Sequence, residues 1–107
     1  MKEVYTMLNG TKVTARNQRE ARLARIFNNK VNDIIGWLGR DDMKAVDNSL
    51  RAETYNNWLI QELDGMASAM YFMDMISNPM CDTEIWRMVV TEYNKTHEEA
   101  PIRNLWD

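Results

Sequence analysis

The sequence predicts a mainly α-helical protein in which an N-terminal β-hairpin is followed by about four helices in a small bundle. An Asn9-Gly10 pair between two short runs rich in β-branched residues indicates the hairpin. Apolar residues that recur at spacings of three and four along most of the remaining chain indicate the helices. The length of 107 residues suits one domain. We therefore predict a single domain over 1–107, with the hairpin at 1–14, a helical body at 15–96 and an extended tail at 97–107.

The hairpin prediction depends on its turn. A two-residue type I′ turn requires positive φ angles at both central residues, and Asn9-Gly10 tolerates them well. An isolated two-stranded hairpin is barely stable in water, so its apolar side must pack on helices. We expect that side to include Val4 or Tyr5, together with Leu8.

The first predicted helix runs from Thr14, which can cap its N-terminus through its hydroxyl, to about Leu38, where Gly39 ends it. Gly36 lies within the pattern, so an end one turn earlier stays open. Seven apolar residues repeat at helical spacing and define its buried face: Leu23, Ile26, Phe27, Val31, Ile34, Ile35 and Leu38.

Three further helices are predicted. The second begins at Asp41 or Asp42 and carries Met43, Val46 and Leu50. The third covers about 53–77 and ends before Asn78-Pro79, because the residue before a proline is pushed out of the helical region. The last is capped by Asp82 and runs to about Lys95, with one apolar face formed by Ile85, Trp86, Val89, Val90 and Tyr93.

The third helix carries a stripe with 4-3-4-3 spacing. This spacing is typical of a helix packed in a core or against a second copy of the chain. Several of the nine methionines of the chain lie on this helix, and flexible methionine side chains suit either role. We predict a homodimer in which self-association uses Leu59, Leu63, Met66, Met70 and Met73.

Residues for catalysis are scarce. The chain has one cysteine, Cys81, and one histidine, His97, so an intramolecular disulfide is impossible. His97 precedes the predicted tail, which is a poor scaffold for a general base, and Cys81 has no basic neighbour to activate it. No two carboxylates stand three or four residues apart, and the four glycines form no phosphate-binding loop. We expect no enzyme, no metal and no cofactor.

No apolar run approaches the roughly 20 residues that a membrane-spanning helix needs. The first residues also lack an apolar stretch of signal-peptide length. We therefore expect a cytoplasmic protein that does not contact membranes.

Charge is divided unevenly along the chain. Residues 1–40 carry eight lysines and arginines against three acids, whereas 41–107 carry five against thirteen. Arg16, Arg19, Arg22 and Arg25 follow one another along the first predicted helix. We expect these four arginines, with Trp106 in the tail, to bind a partner, since arginine and tryptophan are enriched at interfaces. The alternative is that the arginines form a solvated helix face that attracts the acids of the chain itself.

These features favour a small intracellular inhibitor or adaptor that binds a larger protein stoichiometrically. In its compact size, polarised charge and lack of a catalytic constellation, the chain is similar to small accessory proteins carried by bacteriophages, including inhibitors of bacterial defence systems. The similarity implies a larger host protein as partner, such as nucleic-acid-handling or defence machinery. One alternative is DNA or RNA binding through the basic helix at 14–30. A second is a structural or assembly subunit. A carboxylate-rich surface that imitates phosphate also stays open.

Overall fold

The computed structural model describes residues 2–38 and 59–97, and these contain two strands and three helices. The strands are β1 (Glu3–Thr6) and β2 (Lys12–Ala15), which pair antiparallel. The helices are α1 (Gln18–Leu38), α2 (Gln61–Phe72) and α3 (Asp82–Lys95). The predicted hairpin and mainly helical fold are confirmed.

The predicted count of about four helices is not matched, because the described residues hold three. The second predicted helix, with Met43, Val46 and Leu50, falls within 39–58, outside the described residues. The tail from residue 98 onward also lies outside them.

The hairpin loop differs from the prediction. Gly10 donates its N–H to the Met7 carbonyl at 2.9 Å, and Met7 donates its own to the Thr11 carbonyl at 2.9 Å. Gly10 has a φ of 87°, whereas Asn9 is not among the described residues with positive φ. The loop therefore has three residues, Leu8 to Gly10, and the predicted two-residue type I′ turn was wrong. Only Gly10 takes the left-handed conformation, as in a three-residue hairpin loop.

The longer loop sets which hairpin side chains face the helices. It pairs Tyr5 with Val13 and Thr6 with Lys12. Because side chains alternate between the two faces of a strand, Tyr5, Met7 and Val13 share the inner face. Met7 and Val13 are buried, and Tyr5 packs against the core, as predicted. Leu8 lies in the loop and is exposed, so its predicted place on the apolar side was wrong.

Helix α1 begins three residues later than predicted. Asn17 caps it, since the Asn17 Oδ1 accepts the Glu20 N–H at 2.9 Å. Thr14, the predicted cap, lies in β2 and donates its N–H to the Met75 carbonyl at 2.8 Å. The predicted cap was therefore wrong, because Thr14 pairs in the sheet while the Asn17 amide satisfies the first turn.

The predicted apolar face of α1 is largely confirmed. Phe27, Val31, Ile34 and Leu38 are buried, while Leu23 and Ile35 pack against the core at its margin. Ile26 is exposed, because it lies about 100° around the helix from its buried neighbour Phe27. The helix thus buries one stripe and leaves the opposite side to solvent.

Helix α2 ends at Phe72, so its predicted extension to residue 77 was wrong. Asp74 adopts a left-handed φ of 60°. Its N–H donates to the Tyr71 carbonyl at 3.0 Å, and the Met75 N–H donates to the Met70 carbonyl at 2.8 Å. These two bonds form a Schellman motif, and the buried Met70 and Met75 supply its usual hydrophobic contact. The predicted start near residue 53 lies outside the described residues.

Helix α3 matches its prediction within one residue. It covers Asp82–Lys95, and its N-cap residue is Cys81 rather than Asp82. The predicted apolar face is confirmed, since these residues are all buried: Ile85, Trp86, Val89, Val90 and Tyr93. This face, the stripe of α1 and the inner side of α2 form one core, which Met7 and Val13 extend to the hairpin.

No helix in the described ranges is both long enough and apolar enough to cross a membrane.

Two glycines allow a direct test of the loop conformation. A Cβ atom added at Gly10 or at Gly65 would meet no other atom within 4 Å, so the two sites differ mainly in backbone conformation. Gly10→Ala should lower the free energy of unfolding by about 1 kcal/mol, because alanine is strained at positive φ. Gly65→Ala, within α2, should raise it by about 0.5–1 kcal/mol. Urea unfolding measures both, and equal effects of the two changes would contradict this loop geometry.

Candidate functional site

Three arginines form an exposed basic surface on α1. We call Arg19, Arg22 and Arg25 the α1 basic face. Each step of three residues turns the helix back by about 60°, so the three side chains spread over about 120° of its circumference. This arc lies away from the buried stripe of α1, and all three arginines are exposed.

Within residues 2–38 and 59–97, no carboxylate forms an ion pair with any arginine of the α1 basic face. Other cations in the same ranges do have acidic partners. Lys30 pairs with Glu62 across α1 and α2 at 2.7 Å, and Lys95 pairs with Glu92 along α3 at 3.0 Å. Among the described residues, no acidic side chain pairs with the α1 basic face, whereas Lys30 and Lys95 are paired.

Arg16, the first predicted partner-binding arginine, has a different environment. Its Nε and Nη2 donate to the two carboxylate oxygens of Glu20, each at 3.0 Å. Its backbone N–H also donates to Glu20 at 3.1 Å, and its Nη2 donates to the carbonyl of Met73. Arg16 thereby joins the start of α1 to the loop after α2. Of the four predicted arginines, Arg16 thus bonds to Glu20 and Met73, whereas the other three are exposed and have no acidic partner among the described residues. Arg25 is also close enough to Tyr5 to affect its pKa.

The contact with Arg16 also sets the charge state of Glu20. Hydrogen bonds from the Arg16 side chain and backbone lower the pKa of Glu20, and they outweigh the opposing effect of burial. The same carboxylate raises the pKa of Arg16. The Glu20 side chain is only 7% exposed and the Arg16 side chain 52% exposed, so the pair lies at the edge of the core. Both groups stay charged at neutral pH.

A small cavity of about 150 Å³ lies beside this surface, between the hairpin and α1. Its wall includes Tyr5 and Thr6 from β1, and Arg25, Asn28 and Asn29 from α1. The basic face therefore continues at Arg25 into a recess that has amide groups on one side and strand β1 on the other.

Tyr5 connects β1 to this recess. Its hydroxyl donates to the Glu3 carboxylate, and this bond raises the pKa of Tyr5, while the nearby Arg25 guanidinium opposes the rise. The recess was missed by sequence reasoning, since it depends on the three-residue loop that places Tyr5 on the inner side. No local sequence motif indicates the register of β1 against β2.

The predicted self-association stripe lies mostly inside the fold of the chain itself. Leu63 and Met70 are fully buried, whereas Leu59, Met66 and Met73 are partly buried against the same core. Packing within a single chain therefore explains the burial of Leu63 and Met70 without a second copy. Self-association stays a prediction. Trp106, the predicted anchor in the tail, lies outside the described residues.

Cys81 and His97 are at opposite ends of α3. The 14-residue helix α3 lies between them and is about 21 Å long, so the thiol cannot pass its proton to this imidazole. The His97 ring stacks on Tyr93 at 3.8 Å, and its Nδ1 lies 2.8 Å from the Tyr93 carbonyl oxygen. The exposed Cys81 lies 3.0 Å from the Thr83 hydroxyl. Among the described residues, no three His, Cys, Asp or Glu side chains come together as a metal site.

Comparisons with models of protein families, with curated proteins and with solved structures find no match to this chain.

The Glu20 contact predicts a specific acid sensitivity. Because its pKa is lowered on folding, Glu20 stabilises the fold fully above the ordinary glutamate pKa of 4.5. That stabilisation is lost as the pH falls through the lower pKa of the folded state. Glu20→Gln should lower the thermal unfolding midpoint at neutral pH and remove this part of the acid sensitivity.

Thermal unfolding from pH 7 to pH 3 measures this effect. Glu92→Gln is the matched control, because it removes a carboxylate from the surface pair with Lys95 and should keep the acid profile of the unmodified chain. A Glu20→Gln variant that loses as much stability on acidification as the unmodified chain would contradict this role of Glu20.

Proposed function

We propose that this chain is a small non-enzymatic binding protein that docks stoichiometrically, through the α1 basic face, onto an acidic surface of a larger protein. The observation that carries this proposal is the set of three exposed arginines without an acidic partner in the described residues. Exposed cations on a fixed scaffold favour encounter with a surface of opposite charge and set the orientation of docking.

The scaffold under the arginines supports the proposal. Helix α1 has 21 residues and packs against β2, α2 and α3. A helix held along its length keeps its side chains at fixed positions, which reduces the entropy lost on binding. Arginine also suits this role, because its planar guanidinium can donate two parallel hydrogen bonds to one carboxylate.

The charge of the remaining surface favours a protein partner over a nucleic acid. The chain has a formal net charge of −3. Exposed acids lie on α2 (Glu62), in the loop after α2 (Asp74) and on α3 (Glu84). A long polyanion is repelled by such acids when it passes near them, whereas a protein can present a local acidic patch to the arginines alone. The identity expected from the sequence, a larger protein of nucleic-acid-handling or defence machinery, stays a prediction.

Removal of the three positive charges should weaken binding to an acidic probe. We expect the triple variant Arg19→Gln, Arg22→Gln and Arg25→Gln to bind a labelled peptide rich in glutamate and aspartate roughly tenfold to a hundredfold more weakly. This range follows from three ionic contacts of about 0.5–1 kcal/mol each. Fluorescence anisotropy measures the affinity.

The matched control removes three positive charges outside α1, with Lys2→Gln, Arg87→Gln and Lys95→Gln. It changes the net charge equally but leaves the α1 basic face intact, so binding should stay within about twofold of the unmodified chain. Equal weakening by both triple variants would show that net charge alone attracts the peptide, and the proposed surface would be rejected.

DNA or RNA binding is the second candidate function, and one observation favours it. Asn28, Asn29 and Asn32 are exposed beside the arginines, and asparagine can pair with adenine edges while arginine contacts phosphate or guanine. The two functions differ in the ligand that binds tightly at physiological salt.

This second function predicts tight binding of labelled DNA or RNA with a steep dependence on salt. Three phosphate contacts give a slope of about −2 to −3 in a plot of log affinity against log salt. Titrations at about 50 mM and about 200 mM salt measure the slope. A dissociation constant below about 1 μM at the higher salt, lost in the triple α1 variant, would favour nucleic acid over an acidic protein. Weak binding, unchanged in that variant, would remove this candidate.

A further inference from the structure

The outer edge of strand β1 carries backbone groups that point away from β2. In an antiparallel pair, residues alternate between those that hydrogen-bond across the pair and those that point outward. The bond from the Met7 N–H to the Thr11 carbonyl fixes the phase of this alternation. Tyr5 therefore bonds toward β2, whereas Val4 and Thr6 direct their N–H and carbonyl groups outward.

The outer edge of β2 confirms this alternation, and among the described residues it is covered by another segment, unlike the β1 edge. Thr14 lies opposite Val4, and its outward N–H donates to the Met75 carbonyl at 2.8 Å. The β2 edge is thus covered at that point by the loop after α2. In the described part of the chain, no such segment covers Val4 and Thr6, and the Val4 side chain is 58% exposed.

The free edge lies beside the cavity of about 150 Å³ that reaches Arg25, Asn28 and Asn29. A strand added to this edge would lie about 4.8 Å from β1, and every second side chain would face the same way as Tyr5, toward α1. There it would meet the guanidinium of Arg25 and the two amides. This set of hydrogen-bond donors, with one positive charge, suits a carboxylate.

We propose that an extended acidic segment of a partner protein adds as a third strand to the edge of β1, with one of its carboxylates directed to Arg25, Asn28 and Asn29. This inference rests on the proposed function and adds the way in which the acidic partner docks. Main-chain bonds at Val4 and Thr6 supply affinity, and the cavity and Arg25 supply selectivity for acidic side chains.

Charge and backbone chemistry select this occupant over two others. A second copy of the chain paired through β1 would bring two α1 basic faces toward each other, and like charges oppose that approach. A nucleic acid has no ladder of N–H and carbonyl groups that could pair with the outward groups of Val4 and Thr6. An acidic polypeptide satisfies both the edge and the charge.

The test uses the full chain and a capped peptide of about eight residues in which glutamate and threonine alternate, a length that covers a usual strand. The decisive variant is Val4→Pro, which removes an outward N–H without breaking a bond to β2 and suits an edge strand. Val4→Ala is its matched control, because it keeps the N–H. We expect Val4→Pro to weaken peptide binding about tenfold or more, and Val4→Ala to change it by less than about twofold.

Two-dimensional amide NMR supplies an independent measurement. On addition of the peptide, the amide signals of Val4 and Thr6 should shift, and their hydrogen exchange should slow. A peptide with N-methyl groups on alternate residues, which cannot form the ladder, should bind about tenfold more weakly. This comparison needs no variant of the protein and so decides the matter even if Val4→Pro fails to fold.

Other results would overturn the inference. Equal affinity for the methylated and unmodified peptides, or loss of binding in the triple α1 variant but not in Val4→Pro, rejects the edge and leaves the proposed function standing. If the alternating peptide does not bind while the peptide rich in glutamate and aspartate still does, the β1 edge is likewise rejected and the proposed function stands. Dimerisation of the chain alone, with protected Val4 and Thr6 amides, assigns the edge to a second copy and also overturns the inference.

Discussion

The hydrogen bonds around the Glu20 carboxylate hold the hairpin and α1 in one arrangement. The side chain and backbone of Arg16 and the side-chain amide of Asn17 donate to this carboxylate, while the Glu20 N–H donates back to Asn17. Glu20 is the third residue of α1, where a negative charge is favoured by the helix dipole. The same group therefore neutralises Arg16, completes the cap of α1 and fixes the angle at which the chain leaves β2.

A second set of hydrogen bonds joins the hairpin to the end of α2. The Schellman motif at the end of α2 turns the chain back, with Asp74 in the left-handed conformation, and presents the carbonyls of Met73 and Met75 to the hairpin. Arg16 donates to the first carbonyl and Thr14 to the second. Loss of the Arg16 bonds would remove one of these two hydrogen bonds to the α2 loop and would also loosen the start of α1. Burial of the Glu20 carboxylate costs desolvation free energy. The hydrogen bonds that it accepts from Arg16 and Asn17, and the partial exposure of the Arg16 side chain, offset this cost.

The sequence predicted those parts of the fold that depend on a periodic apolar pattern or on a local turn signal. The buried faces of α1 and α3 follow from apolar spacing, and the hairpin follows from Asn9-Gly10. It did not predict the end of α2, because the apolar pattern continues through Met75 and Ile76 while the backbone reverses at Asp74. The predicted N-cap of α1 was Thr14. The pair Asn17 and Glu20, three residues apart, resembles a capping box and indicates the observed N-cap better. The recess at Arg25 could not be predicted, since it needs the strand register and the packing angle together.

Position along the chain explains why arginines with equal spacing have different roles. Arg16 precedes the first turn of α1, so its side chain can fold back onto Glu20 and reach the α2 loop. Arg19, Arg22 and Arg25 lie within the helix, where the backbone directs their side chains away from the buried stripe. One cavity is lined by Tyr5 and Thr6 of β1 and by Arg25 of α1, so the edge at Val4 and Thr6 lies near Arg25. A ligand that contacts both must combine an extended backbone with negative side chains, and this double requirement gives more selectivity than charge alone.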